Sequence, residues 1–368
     1  MESFATQYGL LDATLLDASI WATTYVNACG LYQKATNMRK RTWNQRKALL
    51  GEEHLDTLVS MTNLASTYSS QGFWKEAKKL GIKVLETRQR MLGEEHPDTL
   101  ISMGNLASTY QEQGRWKEAE KLKVRVSETS QRVLGEEHPD TLSSMGNLAS
   151  TYQHQERWEE AEKLIMRVLE TRQRVLSEEH PKTLISMNNL ASTYYEQGRW
   201  KEAEKLGIRA LETSQRVLGE KHPDTLNSMA NLASTYYGQG RWKEAEELIM
   251  RVLETSQRVL GKEHPQTLVS MNNLAFTWKA QGRNAKAINL FEQCIHLRSQ
   301  IIGADHPSTV SFYAPKSSRA ITTLSEPLFH LCSAHPMAER ESRDWGSTSY
   351  LLTASQTTST RLSKTLAR

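Results

Sequence analysis

Cysteine is scarce in this chain of 368 residues: Cys29, Cys294 and Cys332 are scattered and odd in number. They fit neither a disulfide framework nor a metal-ligand spacing, which points to reduced thiols and a cytoplasmic protein. Long apolar runs are missing as well. None approaches the ~20 residues that a membrane-spanning helix needs, so no membrane partner is expected. The first thirty residues lack a basic leader and carry Glu2, Asp12 and Asp17, so no secretory signal is expected either. The net charge of +4 sits at the two ends: residues 1–51 and 311–368 each carry +3, which leaves −2 between them. The middle therefore has no basic footprint for nucleic acid. With 38% apolar residues, the chain is too hydrophobic for wholesale disorder.

What is abundant is repetition. His54, His96, His138, His180, His222, His264 and His306 lie 42 residues apart without a slip. Pro97, Pro139, Pro181, Pro223, Pro265 and Pro307 follow six of them, and Trp74, Trp116, Trp158, Trp200 and Trp242 fill a second column. A fixed period of this length is the mark of a repeat architecture.

One unit reads as two helices. Pro97 suits a helix start, where its missing N–H costs least, and Asp98 complements the dipole of the first turn. Leu100, Met103, Leu106, Ala107 and Tyr110 then recur at three- and four-residue steps, which gives one apolar stripe. Gln113-Gly114 ends this helix. The second starts near Trp116, carries Ala119, Leu122, Val126, Val133 and Leu134 inward, and closes at Gly135. Glu128 and Arg132 form an i,i+4 pair on its outer face that recurs as Glu86–Arg90, Glu170–Arg174, Glu212–Arg216 and Glu254–Arg258. A two-helix unit cannot bury its own stripe, so neighbours must stack into one core. The expected fold is all-α, a right-handed α-solenoid of antiparallel helix pairs with six full units.

The run Asn189-Leu190-Ala191-Ser192-Thr193-Tyr194 through Gly198-Arg199-Trp200-Lys201-Glu202-Ala203-Glu204, with its Leu-Gly-x-x-His-Pro-x-Thr-Leu continuation, resembles the tetratricopeptide repeat in its 42-residue kinesin-light-chain form. The likeness covers about 250 residues, and the near-identical copies look most like arrays of filamentous fungi. The resemblance implies a protein-interaction scaffold. It also implies two alternatives: a motor-cargo adaptor, or the sensor array of a nucleotide-binding immune-like receptor. The adaptor role needs an N-terminal heptad coiled coil, and residues 1–50 show no sustained a/d repeat.

Upstream of the array, Gly30, Tyr32, Ala35 and Arg46 stand 42 residues before Gly72, Trp74, Ala77 and Arg88, as a half-unit would. The expected organisation is a degenerate cap over 1–53, six repeats over 54–310 and a tail over 311–368. Nineteen of the 58 tail residues are Ser or Thr, which favours disorder, with one short helix expected from about Ser318 to Cys332 over the last open face.

No chemistry stands out against this periodicity. Successive histidines are about one helix-packing distance apart, ~10 Å, whereas zinc ligands converge at about 2.1 Å from one ion. They read as helix-start residues packing on a neighbouring loop. No nucleophile, base and acid occur once together, and no phosphate loop ends in Gly-Lys-Ser/Thr. No enzyme activity, cofactor or metal is expected. Tyr68, Trp74 and their copies read as core, and Asn63, Asn105, Asn147, Asn189, Asn231 and Asn273 as a structural column bonding backbone between helices.

Positions 59, 62, 66, 69 and 70 of the first unit form the remaining face of the first helix. This face varies most between units, and function should reside there. Its second column reads Thr62, Gly104, Gly146, Asn188, Ala230, Asn272; the column after Tyr68 reads Ser69, Gln111, Gln153, Tyr195, Tyr237, Lys279. In kinesin light chains the equivalents of Asn188 and Asn272 hold the main chain of extended peptides. A peptide groove is therefore expected at Asn188, Ser192, Tyr195, Ser234, Tyr237, Asn272 and Lys279, with a protein or peptide as partner and the oligomeric state open. Limited proteolysis should trim the chain beyond about residue 335 and leave the repeats intact; a tail as resistant as the repeats contradicts this reading.

Overall fold

The computed structural model describes residues 31–302. Expectations for the helix before Ala28, for the Ser/Thr-rich tail and for a helix at 318–332 fall outside them. Among the described residues there are thirteen α-helices and no strand. The chain divides into two compact units, residues 1–113 and 114–368. The first contains α1 (Tyr32–Leu50), α2 (Leu55–Ser70), α3 (Trp74–Leu92) and α4 (Pro97–Glu112). The second contains α5 (Trp116–Leu134), α6 (Pro139–His154), α7 (Trp158–Leu176), α8 (Pro181–Glu196), α9 (Trp200–Leu218), α10 (Pro223–Gly238), α11 (Trp242–Val259), α12 (Pro265–Ala280) and α13 (Asn284–Ile302). Within each unit consecutive helices pack as antiparallel neighbours, the arrangement of an α-solenoid. The half-unit read from Tyr32, Ala35 and Arg46 is α1, a full second helix with Ala35 and Arg46 buried as Ala77 and Arg88 are.

The histidines start the first helices in a way their spacing did not reveal. His54, His96, His138, His180, His222 and His264 are N-caps. Each ring accepts, through Nδ1, the backbone N–H two residues on, at 3.1–3.2 Å. The imidazole thus occupies an orphan donor of the first turn, work usually done by Ser, Thr, Asp or Asn. The bond requires a neutral ring. Burial depresses the pKa of His180 and pushes His264 down to about 4, which favours that form.

The core is the first-helix stripe plus the small columns of the second helices. Leu58, Met61 and Leu64, and likewise Leu184, Met187 and Leu190, are buried against residues such as Val84 and Ile165. Each such side chain contributes about 1.5–3 kcal/mol of transfer free energy. Two inward assignments are corrected. Val133, Val175, Val217 and Val259 are exposed, while Leu218, the residue after Val217 in the same turn, packs on the core. The tryptophans open the second helices at the repeat edge, and Trp200 and Trp242 are 41% and 40% exposed. The expected i,i+4 pairs also give way. Arg90, Arg174 and Arg216 instead bond Glu53, Glu137 and Glu179, 37 residues earlier in the loop before the preceding first helix.

Second helices end in a conformation that favours glycine. Gly51, Gly93, Gly135 and Gly219 have φ of 91°, 91°, 92° and 87°. Ser177 holds the same place at φ 86° and ψ 165°, a region that costs a residue with a Cβ about 1–3 kcal/mol. Ser177→Gly should therefore stabilise the fold by about 1 kcal/mol, read as a higher urea midpoint at unchanged helicity.

Candidate peptide-binding face

The first helices of the second unit, α6, α8, α10 and α12, place one face away from their paired second helices. The turn that follows each of them, Gln155-Glu156-Arg157 after α6 and Gln-Gly-Arg after the other three, fixes its position. Arg199 lies over the Tyr194 ring at 4.2 Å and bonds Glu162 of the preceding second helix at 2.8 Å, and Gln197 bonds the same carboxylate. Arg157, Arg241 and Arg283 repeat this on Glu120, Glu204 and Glu246, over Tyr152, Tyr236 and Trp278. Partial burial raises the pKa of Glu204, but the bonds from Gln239 and Arg241 outweigh it and hold the carboxyl below its ordinary value. A cleft of about 630 Å³ beside Arg241, Glu246 and Arg283 lies at these turns, away from the variable face.

On the face itself the seven expected residues separate into two sets. Ser192, Tyr195, Tyr237 and Lys279 are half-buried and keep accessible surface. Asn188, Ser234 and Asn272 are buried, which corrects their assignment to the accessible surface. The reason is polar bonding and close packing with neighbouring helices. Asn188 Nδ2 donates to Ser228 on α10 at 2.8 Å, and Ser234 donates to the Ala230 carbonyl one turn back. Gln153 similarly bonds Thr193 on α8, and Gln266 bonds Asn227 on α10. Asn272 has no partner for either amide atom. Helical period places these residues on one face but does not show that the next helix covers half of it.

The tyrosines are also tied down. A Cβ on Gly238 would stand 2.8 Å from Tyr195 Cε2 and 3.2 Å from Trp200 Nε1, so the Tyr195 ring rests on the one glycine that admits it. Tyr237 packs against the cluster of Leu268, Met271 and Leu274, and burial raises its pKa. The sequence held the signal for this: Tyr195 and Tyr237 are each followed 43 residues later by a small residue, Gly238 or Ala280. The second asparagine column does not bond backbone with its side chains as expected. Asn147 Oδ1, Asn189 Oδ1, Asn231 Nδ2 and both amide atoms of Asn273 lack partners, while the main-chain carbonyls of Asn147, Asn189, Asn231 and Asn273 accept from the threonine four residues on. Among the described residues no group of His, Cys, Asp or Glu converges as metal ligands, and no helix is long and apolar enough to cross a membrane.

Paired helices, histidine caps and arginine clamps at constant spacing define a tandem helical-repeat protein. The tetratricopeptide repeat matches at residues 63–126, 105–164, 140–207, 188–255 and 230–300, and the chain belongs to that family. Its repeats support a role as a protein-interaction scaffold in a family that is generally non-enzymatic. A Podospora anserina protein assigned as a kinesin light chain, with nearly identical TPR-like repeats, is 33% identical over 56% of this chain and 98% of its own, at a TM-score of 0.48. BtubC (BKLC) from P. vanneervenii is 22% identical over 62% and 92%, at 0.52. A Rap protein solved with Competence and Sporulation Factor is 13% identical over 90% of both chains, at 0.57, a likeness of fold alone. No curated protein matches the sequence.

Gly238→Ala should push the Tyr195 ring off its seat and destabilise the fold by about 1–2 kcal/mol. In the double mutant with Tyr195→Ala the added cost of the alanine at 238 should vanish. Thermal unfolding of the four chains of that cycle measures the coupling, and purely additive effects would show that the two residues do not touch.

Proposed function

We propose that this protein is a non-enzymatic scaffold that binds a peptide segment along the first-helix face of repeats four to six, within an array spanning residues 54–310. The observation that carries the reading is contrast. Caps, clamps and core columns recur in repeat after repeat, whereas the column Ser69, Gln111, Gln153, Tyr195, Tyr237, Lys279 takes four identities over six repeats. Selection on packing alone would keep it as uniform as its neighbours.

Ser192, Tyr195, Tyr237 and Lys279 are the contact residues in this proposal, with Asn188, Ser234 and Asn272 as the floor beneath them. A tyrosine supported from behind loses little rotamer freedom on binding. Burial lowers the pKa of Lys279, so its charge gains from an acceptor brought by the ligand. The partner is a protein or peptide. Nucleic acid and membrane are not part of the proposal, and the setting is cytoplasmic.

Capture of binding proteins with the full chain identifies the partner, and affinity for its minimal peptide then tests the face. Tyr195→Ala with Tyr237→Ala should weaken binding by about 2 kcal/mol or more, roughly 30-fold, with helicity retained. Unchanged affinity in a helical double mutant places the site elsewhere.

A further inference from the structure

Within the second unit four tryptophans open second helices at one register, and two of them differ from the others. The Trp116 ring stacks on His154 at 5.1 Å between centroids, and Trp158 is half-buried with Glu196 in the matching place. Trp200 and Trp242 stay about two fifths exposed. The cause is the residue 38 positions on, at the end of the next first helix. There His154 and Glu196 give way to Gly238 and Ala280, which are too small to cover an indole. A Cβ on Gly238 would stand 3.2 Å from Trp200 Nε1, so that ring lies against the glycine. Packing does not demand a tryptophan here, because Asn284 opens α13 at the same register. Neither indole N–H is engaged among the described residues, whereas Trp278 donates its own to Glu246 at 2.6 Å.

The charges around these two rings are unevenly satisfied. Arg199 engages Glu162 and Glu202, Arg241 engages Glu204 and Glu244, and Arg283 engages Glu246. Both carboxylates lining the cleft beside Trp242, Glu244 and Glu246, are therefore taken, and neither is left for a cationic ligand. Lys201 and Lys243, the residues after the two tryptophans, are exposed and form no ion pair among the described residues. The unanswered charge at this edge is positive.

We propose that Trp200 and Trp242 form a second docking edge, for a proline-rich segment in the polyproline II conformation with acidic residues at its flanks. A ligand strand needs an open sheet edge, and the described residues hold no strand. A ligand helix needs a continuous apolar groove, and charged pairs interrupt this one. Polyproline II needs aromatic surface for its rings and donors for its carbonyls, since it makes no internal hydrogen bonds. Two exposed indoles with unengaged N–H groups supply both. The spacing agrees: equivalent residues of neighbouring repeats lie about 10 Å apart, and one three-residue turn of polyproline II advances about 9 Å. Prolines at i and i+3 then fall on Trp200 and Trp242, and the acidic flanks meet Lys201 and Lys243. This edge goes beyond the first-helix face and needs none of the contacts proposed there.

Indole N–H resonances of the full chain, titrated with synthetic peptides, test it. Trp200→Phe and Trp242→Phe each remove one resonance and so assign both. An oligoproline flanked by glutamates should shift those two signals, and a Gly-Ser peptide with the same flanks should not. An oligoproline flanked by lysines should bind about tenfold more weakly. The double variant Trp200→Phe with Trp242→Phe keeps a ring at each place and loses both donors. Its affinity for the glutamate-flanked oligoproline should fall about tenfold at unchanged helicity. Absence of shifts at the two indoles overturns the proposal, as does an equal response to the Gly-Ser peptide. Equal affinity for the two kinds of flank, or unchanged affinity in the double variant, overturns it as well. None of these results bears on Tyr195→Ala with Tyr237→Ala, which reads the first-helix face with the captured partner.

Discussion

Near-identical repeats create a register problem: a first helix could dock against the wrong second helix at little cost in apolar contact. The covalent chain decides which repeats are neighbours, and the interaction that then fixes neighbour on neighbour in the second unit is a glutamate held by two residues of the turn after the next first helix. Glu162 takes Gln197 at a separation of 35 residues and Arg199 at 37, and the arginine is itself fixed over Tyr194. An exposed ion pair alone contributes at most about 1 kcal/mol. Here a half-buried carboxylate, two donors and a ring act together, and each must be satisfied by a residue of the adjacent repeat. The buried arginines tie neighbours from inside: Arg172 reaches the Lys182 carbonyl and the Ser186 hydroxyl.

Where the pin is absent the structure changes by small steps. Ser130 and Ser214 replace the arginine, and their carbonyls accept the hydroxyls of Thr141 and Thr225. A long buried donor is exchanged for a direct backbone contact, and the pairing of second helix with next first helix is kept. This tolerance matters for function, because it lets individual repeats vary without losing the stack. The variable face exploits it. Gln153, Asn188 and Tyr195 each reach the next first helix, so residues that distinguish one repeat from another also connect it to its neighbour.

The same dual use explains why binding and stability are hard to separate on this face. Tyr195 rests on Gly238, so a substitution at either position alters packing before it alters any ligand contact.

Much of the fold was legible in the sequence. The 42-residue period gave two helices per unit, their order, the half-unit at α1 and the first-helix core of Leu58, Met61 and Leu64, because helical spacing and glycine or proline punctuation are local properties. Five of the six first-helix starts were marked by proline, yet the role of the histidine beside it was not legible: Nδ1 capping depends on a side-chain torsion that spacing does not encode. The tertiary structure alone decided which residues of the variable face remain open. Val133 was assigned to the stripe by period and is exposed; Asn188 falls off the stripe and is buried with Ser228 against it. Periodicity assigns a residue to a side of its own helix. Burial depends on the side chains of the helix opposite, and for Asn188 that partner is 40 residues away in the chain.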